Sequence, residues 1–385
     1  MLEKMFKLKE NNTSFRTEVV AGLTTFMAMA YILAVNPNFL SATGMNPDAI
    51  LLATALASFV GCMAMALLAN YPFALAPGMG LNAYMAFTVC GNMGYSWQIA
   101  LLAVFVEGLI FIVLSLTNVR EAIFNAIPMA LKKGVSAGIG LFIAFIGLQG
   151  ANLVVNDDST LLTYVKFVGD FHTIGIGALL ALIGLFIIVV LHHKNIKGSI
   201  LIGILATWIL GMICEAIGLY VPDGKDFYSL YPTFRMIDFG AFGTTFGQCF
   251  NVDFSGVDIL NFIAVLFAFL FVDIFDTLGT LIGVSTKANM LDEEGKLPRI
   301  RPALLADAIA TSVGAIFGTS TTTTYVESSA GVAAGGRTGL SAMVTGLLFL
   351  LAIVFAPIFT AIPSFATAPA LIFVGFLMIS SIISL

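Results

Sequence analysis

The sequence has little charge. Only 10% of its 385 residues are Asp, Glu, Lys or Arg, whereas 59% are hydrophobic, and the mean hydropathy is +1.01. Soluble domains carry about 25% charged residues, so a water-soluble enzyme or binding module is excluded. Apolar runs near the ~20 residues needed to span a bilayer recur along almost the whole chain. We therefore expect a multi-pass membrane protein, with the lipid bilayer as its first partner.

Cysteine and histidine are scarce as well. The sequence has four cysteines and three histidines, and their spacing is not that of a metal site, a redox pair or a nucleophile site. It also lacks a Walker A loop, so an ATP-driven pump finds no support. We expect no enzyme activity, no catalytic residue, no metal, no cofactor and no nucleic-acid partner. The cysteines are expected to be small apolar side chains of the interior: Cys62, Cys90, Cys214 and Cys249.

The apolar runs and the breakers between them predict twelve membrane crossings. The polar N-terminal segment is too long for a signal peptide, so the first run is a span, which should end near the breaker pair Asn36-Pro37. Spans 3 and 10 are broken by glycine, proline or polar residues and should contain half-helices beginning near Gly78 and Thr324. The predicted spans are residues 17–39, 49–69, 72–87, 97–117, 134–151, 172–191, 199–220, 259–284, 302–317, 318–339, 340–361 and a last one from about 365.

Lysine and arginine gather on alternate loops of this map. Of the 17 basic residues, 14 lie on the same side as the N-terminus. Because cytoplasmic loops are enriched in Lys and Arg, the distribution predicts a cytoplasmic N-terminus and a protein of the cell membrane.

The order of full and broken spans repeats along the chain. An offset of 245 residues lays Asn82 over Glu327, Tyr31 over Asp276 and span 4 over span 11. Seven spans precede the acidic loop 221–258, so the second copy must be inverted, and paired broken segments mark the binding site of many transporters. The same offset predicts fourteen spans for a complete relative. We therefore expect the chain to be short by two spans at its C-terminus.

The most polar stretch within the apolar sequence runs from Gly318 to Gly339. It has six consecutive hydroxyl residues ending at Thr324, and one carboxylate, Glu327. Such a segment survives at membrane depth only where it is buried in protein or lines a cavity, and an ionisable residue there is a site hypothesis. Glu327 can accept two N–H bonds from a planar ligand, and half-helix N-termini favour ligand acceptor atoms. Asn82 could contribute from the opposing half, the alternative being an ordinary interhelical hydrogen bond.

Span 8 carries a polar face. Asp273, Asp276, Thr277 and Thr280 are spaced at i, i+3, i+4 and i+7, which places them on one side of a helix. A carboxylate near the centre of a membrane helix costs about 2.5–3.5 kcal/mol on insertion scales. Two carboxylates on one face are therefore expected to serve a function, the alternative being a role in packing.

Other residues at membrane depth have more ordinary interpretations. Glu107 and Asp307 are expected to bond across helices. Three aromatic side chains near the polar segments, Phe26, Tyr84 and Phe271, are candidates to stack on an aromatic ligand, although most of the 34 phenylalanines should face lipid or the interior.

Three motifs in order resemble one family. APGMGLNAYMAF, FVDIFDTLGTLIGV and TSTTTTYVESSAGVAAGGRTGL are similar to sequences of the nucleobase:cation symporter-2 family, in its AzgA-like branch of purine permeases. The resemblance implies two inverted seven-span repeats, a core and a gate domain, short antiparallel strands before the half-helices, and a homodimer. The implied segments are residues 1–16 (cytoplasmic N-terminus), 17–118 (core), 119–220 (gate), 221–258 (extracellular loop), 259–361 (core) and 362–385 (gate).

The resemblance also implies the site residues. It puts substrate contacts on Asp273, Asp276 and Glu327, and on the Gly-x-Asn element formed here by Gly80 and Asn82. Uracil and xanthine branches carry a glutamate in span 8 where this chain has aspartate, which favours a purine over uracil.

The resulting hypothesis is an importer of hypoxanthine, guanine or adenine that uses H+ as its coupling ion. Glu327 would bind the base, with Asn82, Gly80 and Thr324 nearby. Asp273 would take the proton, with Glu327 as a second proton-coupling candidate, and Asp276 would orient the ligand or the half-helix. The alternative is a channel or transporter of the same architecture for another small solute or an anion, which acidic cavity residues disfavour.

Overall fold

The computed structural model is mostly helical. The structure describes residues 2–117, 119, 128–157, 159–167, 170–224, 227–232, 237–255, 257–288, 290–293 and 297–383. The predicted domain boundary after residue 118 lies outside the described residues.

Helices make the full crossings. Eight described helical segments are long and apolar enough to span a membrane, and two shorter ones, Ala137–Gly150 and Ser364–Ile379, occupy the places of predicted spans 5 and 12. The predicted fold class, an all-α membrane protein with two broken spans, is confirmed. The elements are α1 (Leu2–Phe6), α2 (Phe15–Met29), α3 (Ile32–Leu40), α4 (Pro47–Ala64), β1 (Leu75–Pro77), α5 (Met79–Ala83), α6 (Trp97–Leu116), α7 (Met129–Gly150), β2 (Val154–Asp157), β3 (Leu161–Tyr164), α8 (Ile176–His193), α9 (Ser199–Ala216), α10 (Ile259–Lys287), α11 (Ile300–Phe317), β4 (Thr322–Thr324), α12 (Ser328–Ala333), α13 (Gly339–Ala352), α14 (Ala356–Thr360) and α15 (Ser364–Ile383).

Span 1 is interrupted earlier than the sequence predicts. The break lies between α2 and α3, at Ala30 and Tyr31, and the helix then continues past Pro37 to Leu40. Proline is tolerated within membrane helices because neighbouring groups satisfy the freed backbone. The adjacent Asn36 is fully buried and bonds to side chains outside its own helix, which holds this part of the span in place.

The two broken spans meet through their strands. β1 and β4 pair antiparallel, with Leu75 opposite Thr324 and Pro77 opposite Thr322. Each strand supplies partners for the backbone of the other, and no water is present at membrane depth to do so. The short antiparallel strands implied by the family resemblance are therefore confirmed.

The second half-helix begins later than predicted. α12 starts at Ser328, so Glu327 is its N-cap and does not lie one turn inside a helix that begins near Thr324. The backbone stays extended beyond β4 because the N–H of Tyr325 bonds to the carbonyl of Ala74 at 3.0 Å. The first half-helix begins where predicted, with Gly78 as the N-cap of α5.

The chain forms two compact units, unit 1 and unit 2. Unit 1 comprises Met1–Val135 and Met236–Ala356, and unit 2 comprises Ser136–Arg235 and Pro357–Leu385. All candidate site residues lie in unit 1. Their naming as core and gate domains stays a prediction.

Small residues bring helices together inside each unit. In unit 1, a Cβ added to Gly108 of α6 would collide with Ser312 of α11. In unit 2, a Cβ on Gly140 of α7 would lie 2.7 Å from the carbonyl oxygen of Gly375 in α15. Such close backbone approach is the usual mode of helix packing in membranes.

Candidate binding site

Glu327 is held by a tyrosine from the other repeat. The hydroxyl of Tyr31 donates to Glu327 Oε1 at 2.6 Å, a length typical of a charge-assisted O–H···O⁻ bond. Tyr31 is fully buried, whereas Glu327 is half-buried. Because a carboxylate has about four acceptor positions, this bond fixes Glu327 and leaves it able to accept from a ligand.

The turn that carries Glu327 is fastened on both sides. The Tyr325 hydroxyl donates to the carbonyl of Pro77 at 2.5 Å, and the N–H of Ala74 donates to Ser328 Oγ at 2.9 Å. Both contacts join the turn to the extended segment of the first broken span. The position of Glu327 therefore depends on strand pairing as well as on its own half-helix.

Asn82 presents a buried donor. Its side chain is fully buried, and its Oδ1 accepts from the hydroxyl of Ser320. Its amide nitrogen Nδ2 has no hydrogen-bond partner among the described residues. A buried donor without a hydrogen-bond partner destabilises the protein by about 1–3 kcal/mol. A ligand that offered an acceptor to Asn82 Nδ2 would remove this cost.

The last two predicted contact residues, Thr324 and Gly80, lie on different broken spans: Thr324 in β4 and Gly80 in α5. The hydroxyl of Thr324, at the end of β4, is buried and has no hydrogen-bond partner in the described part of the chain. Gly80 is half-buried in the first turn of α5. Substrate contacts at both positions stay predictions.

Asp276 lies against the start of the first half-helix. A Cβ added to Gly78 would be 3.4 Å from Asp276 Oδ2, so the carboxylate is at the N-cap of α5. It is also close enough to Glu327 and Asp307 for repulsion between like charges. Asn82 is one helical turn from Gly78, about 6 Å along the axis. Asp276 therefore lies near Glu327 and beside the half-helix that carries Asn82.

Asp273 belongs to a different cluster, deeper in unit 1. Thr277 Oγ1 lies 3.0 Å from Asp273 Oδ1, 3.0 Å from each carboxylate oxygen of Asp307, and 2.6 Å from Thr323 Oγ1. All four residues are buried. The expected interhelical role of Asp307 is thus observed, since it joins α11 to α10 through the Thr277 hydroxyl.

The other hydroxyl residues before the second half-helix fasten it to full spans. Thr321 Oγ1 donates to Glu107 Oε2 of α6 at 2.8 Å. The amide of Asn36 donates to Thr319 Oγ1 at 2.9 Å and to Thr54 Oγ1 of α4 at 2.7 Å. These contacts give most of the hydroxyl run a structural role.

The three aromatic candidates pack against other rings. Phe26 meets Phe349 edge-on at 5.2 Å, and Tyr84 meets Phe269 at 5.1 Å between centroids. Phe271 has ring partners one turn away on either side along α10. Stacking of any of the three on a ligand stays a prediction.

Sequence reasoning missed the roles of Tyr31, Tyr325 and Asn36. For Tyr31 a signal existed, because the 245-residue offset lays it over Asp276 and both residues prove to lie near Glu327. For Tyr325 and Asn36 the partners are distant in sequence, and no local pattern indicates them.

Comparison with known proteins identifies relatives along the whole chain. A family model described as "Permease family" matches residues 16–385. The guanine/hypoxanthine permease PbuO of Bacillus subtilis is 47% identical over 386 residues, covering 98% of this chain and 84% of the relative. The adenine permease AdeQ of Escherichia coli is 41% identical, covering 99% and 81%.

A solved structure shares the fold. The transmembrane domain of the cyanobacterial bicarbonate transporter BicA superposes with a TM-score of 0.68 at 17% identity, covering 94% of this chain and 88% of that domain. At this identity the likeness concerns architecture alone.

Proposed function

Because this chain belongs to the nucleobase:cation symporter-2 permease family, we propose that it is a secondary active transporter that imports purine bases, namely hypoxanthine and guanine, and adenine as a further substrate. Two groups carry the proposal: Glu327, fixed by Tyr31, and the buried amide of Asn82, whose Nδ2 has no hydrogen-bond partner among the described residues. The names of relatives at 41–47% identity support the same substrate class.

The pair suits the edge of a purine. A purine base presents N–H donors beside ring-nitrogen and carbonyl acceptors. Glu327 accepts from the N–H groups, and Asn82 Nδ2 donates to a ring nitrogen or carbonyl oxygen. Hydrogen bonds to a charged group contribute about 1.5–3 kcal/mol each, and a base without the matching N–H leaves Glu327 unpaired.

The coupling ion of the proposal is a proton held by Asp273 and Asp307. Thr277 has one hydroxyl proton, yet four oxygens lie within 3.0 Å of its Oγ1. Thr323 can donate one further proton to this group. A proton on either carboxyl would neutralise one of two buried charges that meet at one hydroxyl, and so relieve their repulsion. Its release and uptake would couple transport to the proton gradient.

The remaining elements of the proposal follow the same family. Asp276 orients the first half-helix, and unit 1 carries the base by alternating access relative to unit 2. The protein resides in the cell membrane as a homodimer, with its N-terminus in the cytoplasm. An anion substrate is disfavoured because Asp276 and Glu327 would repel it.

Uptake of radiolabelled hypoxanthine by cells expressing the chain tests this function. Unlabelled guanine and adenine should compete, whereas uracil and bicarbonate should not. Glu327→Gln should lower uptake at least about 10-fold because a charged hydrogen-bond acceptor is lost. Glu10→Gln, which changes an exposed carboxylate of the N-terminal segment, is the matched control and should behave as wild type. Equal uptake by the two variants would remove Glu327 from the site.

A further inference from the structure

A cavity of about 270 Å³ lies in unit 1, away from the site described above. It is built where spans end or begin: Tyr71 follows the second span, Arg299 precedes α11, and Arg337 precedes α13. This position corresponds to the membrane surface. The lining residues are Asn11, Tyr71, Ala288, Met290, Pro298, Arg299 and Arg337.

The charged side chains among the described lining residues of this cavity are all positive. It is lined by two arginines, and none of its described lining residues is acidic. Within the described part of the chain, neither Arg299 nor Arg337 forms an ion pair. The carboxylate of Glu18 accepts from the backbone N–H of Arg337 at 2.8 Å, but it does not line the cavity. Two guanidinium groups that share a cavity repel each other, and an anion bound between them would relieve that repulsion.

Arg299 is held in place by an aromatic ring. Its guanidinium carbon lies 4.8 Å from the centroid of Tyr71, within the range of a cation–π contact. The Tyr71 ring stacks on Phe73 at 5.1 Å, and its hydroxyl donates to the carbonyl of Pro298. The backbone of Arg299 has φ +57°, in the left-handed region, a conformation that is uncommon for a residue other than glycine.

Arg337 is fixed from the other side. It is half-buried, and its Nη1 donates to the carbonyls of Val332 and Gly336 at 2.8 and 2.7 Å. A guanidinium has five N–H donors, so these two bonds orient the group and leave further donors for a ligand. Both arginines are thus positioned before any anion arrives.

We propose that this cavity binds the headgroup phosphate of an anionic phospholipid. The planar fork of arginine matches the oxygens of a phosphate. Basic pockets between membrane helices bind anionic headgroups, and tyrosine is enriched at that depth. The location at the span ends favours a lipid over a soluble phosphate, because headgroups are concentrated there.

Native mass spectrometry of the purified full-length chain in neutral detergent tests this site. Phosphatidylglycerol should remain bound, and zwitterionic phosphatidylcholine should not. Arg299→Asn removes one guanidinium and keeps a residue that tolerates positive φ. It should weaken phosphatidylglycerol binding about tenfold, the effect of losing one charged hydrogen bond. Arg301→Asn, an equal charge change at an exposed position outside the cavity, should bind as wild type.

Two results would overturn the proposal. Equal loss of binding in the Arg299 and Arg301 variants would indicate general surface charge and no defined site. Inorganic phosphate that displaces phosphatidylglycerol at equal concentration would assign the cavity to a soluble ligand. The thermal unfolding midpoint of each lipid-free variant, expected to match wild type, shows that lost binding does not reflect lost folding.

Discussion

Asp273 and Asp276 stand three residues apart on α10, and their surroundings differ. Asp273 is fully buried beside Thr277 and Asp307, whereas Asp276 is half-buried at the N-cap of the first half-helix. Asp273 shares the Thr277 hydroxyl with Asp307, whereas Asp276 lies near both Asp307 and Glu327. Two carboxylates on one helix can therefore serve different tasks, one holding a proton and the other shaping the binding region.

The largest effect is expected for Asp273→Asn. The amide keeps the size of the side chain but cannot take up or release a proton, so the response of hypoxanthine uptake to an imposed pH gradient should vanish. Exchange of labelled for unlabelled base at equal pH should persist, because the binding site is intact. Initial rates in cells or proteoliposomes with and without the gradient measure both. An unchanged gradient response would remove Asp273 from proton coupling.

Asp276→Asn should give the opposite pattern. The response to the pH gradient should remain, and the KM for hypoxanthine should rise about fivefold. A carboxylate at a helix N-terminus contributes about 0.3–1 kcal/mol, and its loss would leave α5 and Asn82 less firmly placed. If this variant loses the gradient response while Asp273→Asn keeps it, the two assignments must be exchanged.

The sequence predicts the spans well because span length, glycine, proline and charge are local features. It does not separate the two aspartates. Successive residues of a helix are rotated by about 100°, so Asp276 and Thr277 point about 100° apart. Side chains that the sequence assigns to one polar face of α10 can therefore contact two different neighbouring elements. Asp307, 30 residues from Thr277, meets Asp273 at the Thr277 hydroxyl, and no spacing rule gives that contact.

The start of the second half-helix shows the same limit. Its composition favours a helix from Thr324, yet pairing with residues 75–77 keeps the strand extended until Tyr325. That pairing joins segments almost 250 residues apart, and the family resemblance implied the strands without their register. The hydrogen bond from Tyr31 to Glu327 spans 296 residues. It can be recognised only once the fold has brought the two repeats together.

Gly78→Ala tests the packing of the N-cap of the first half-helix, beside Asp276, against β4. The added Cβ would lie 2.9 Å from Thr323 Cγ2 and 3.4 Å from Asp276 Oδ2. The backbone of Gly78 has φ −72°, so alanine is not strained there and any effect is steric. Overpacking of this kind costs about 1–3 kcal/mol, which should lower the thermal unfolding midpoint and raise the KM.

Gly279→Ala on α10, where a Cβ would meet no atom within 4 Å, is the matched control. It should be neutral or slightly stabilising, because alanine favours helix. If the two variants unfold at the same temperature, the close approach of Thr323 to the N-cap of the first half-helix is wrong.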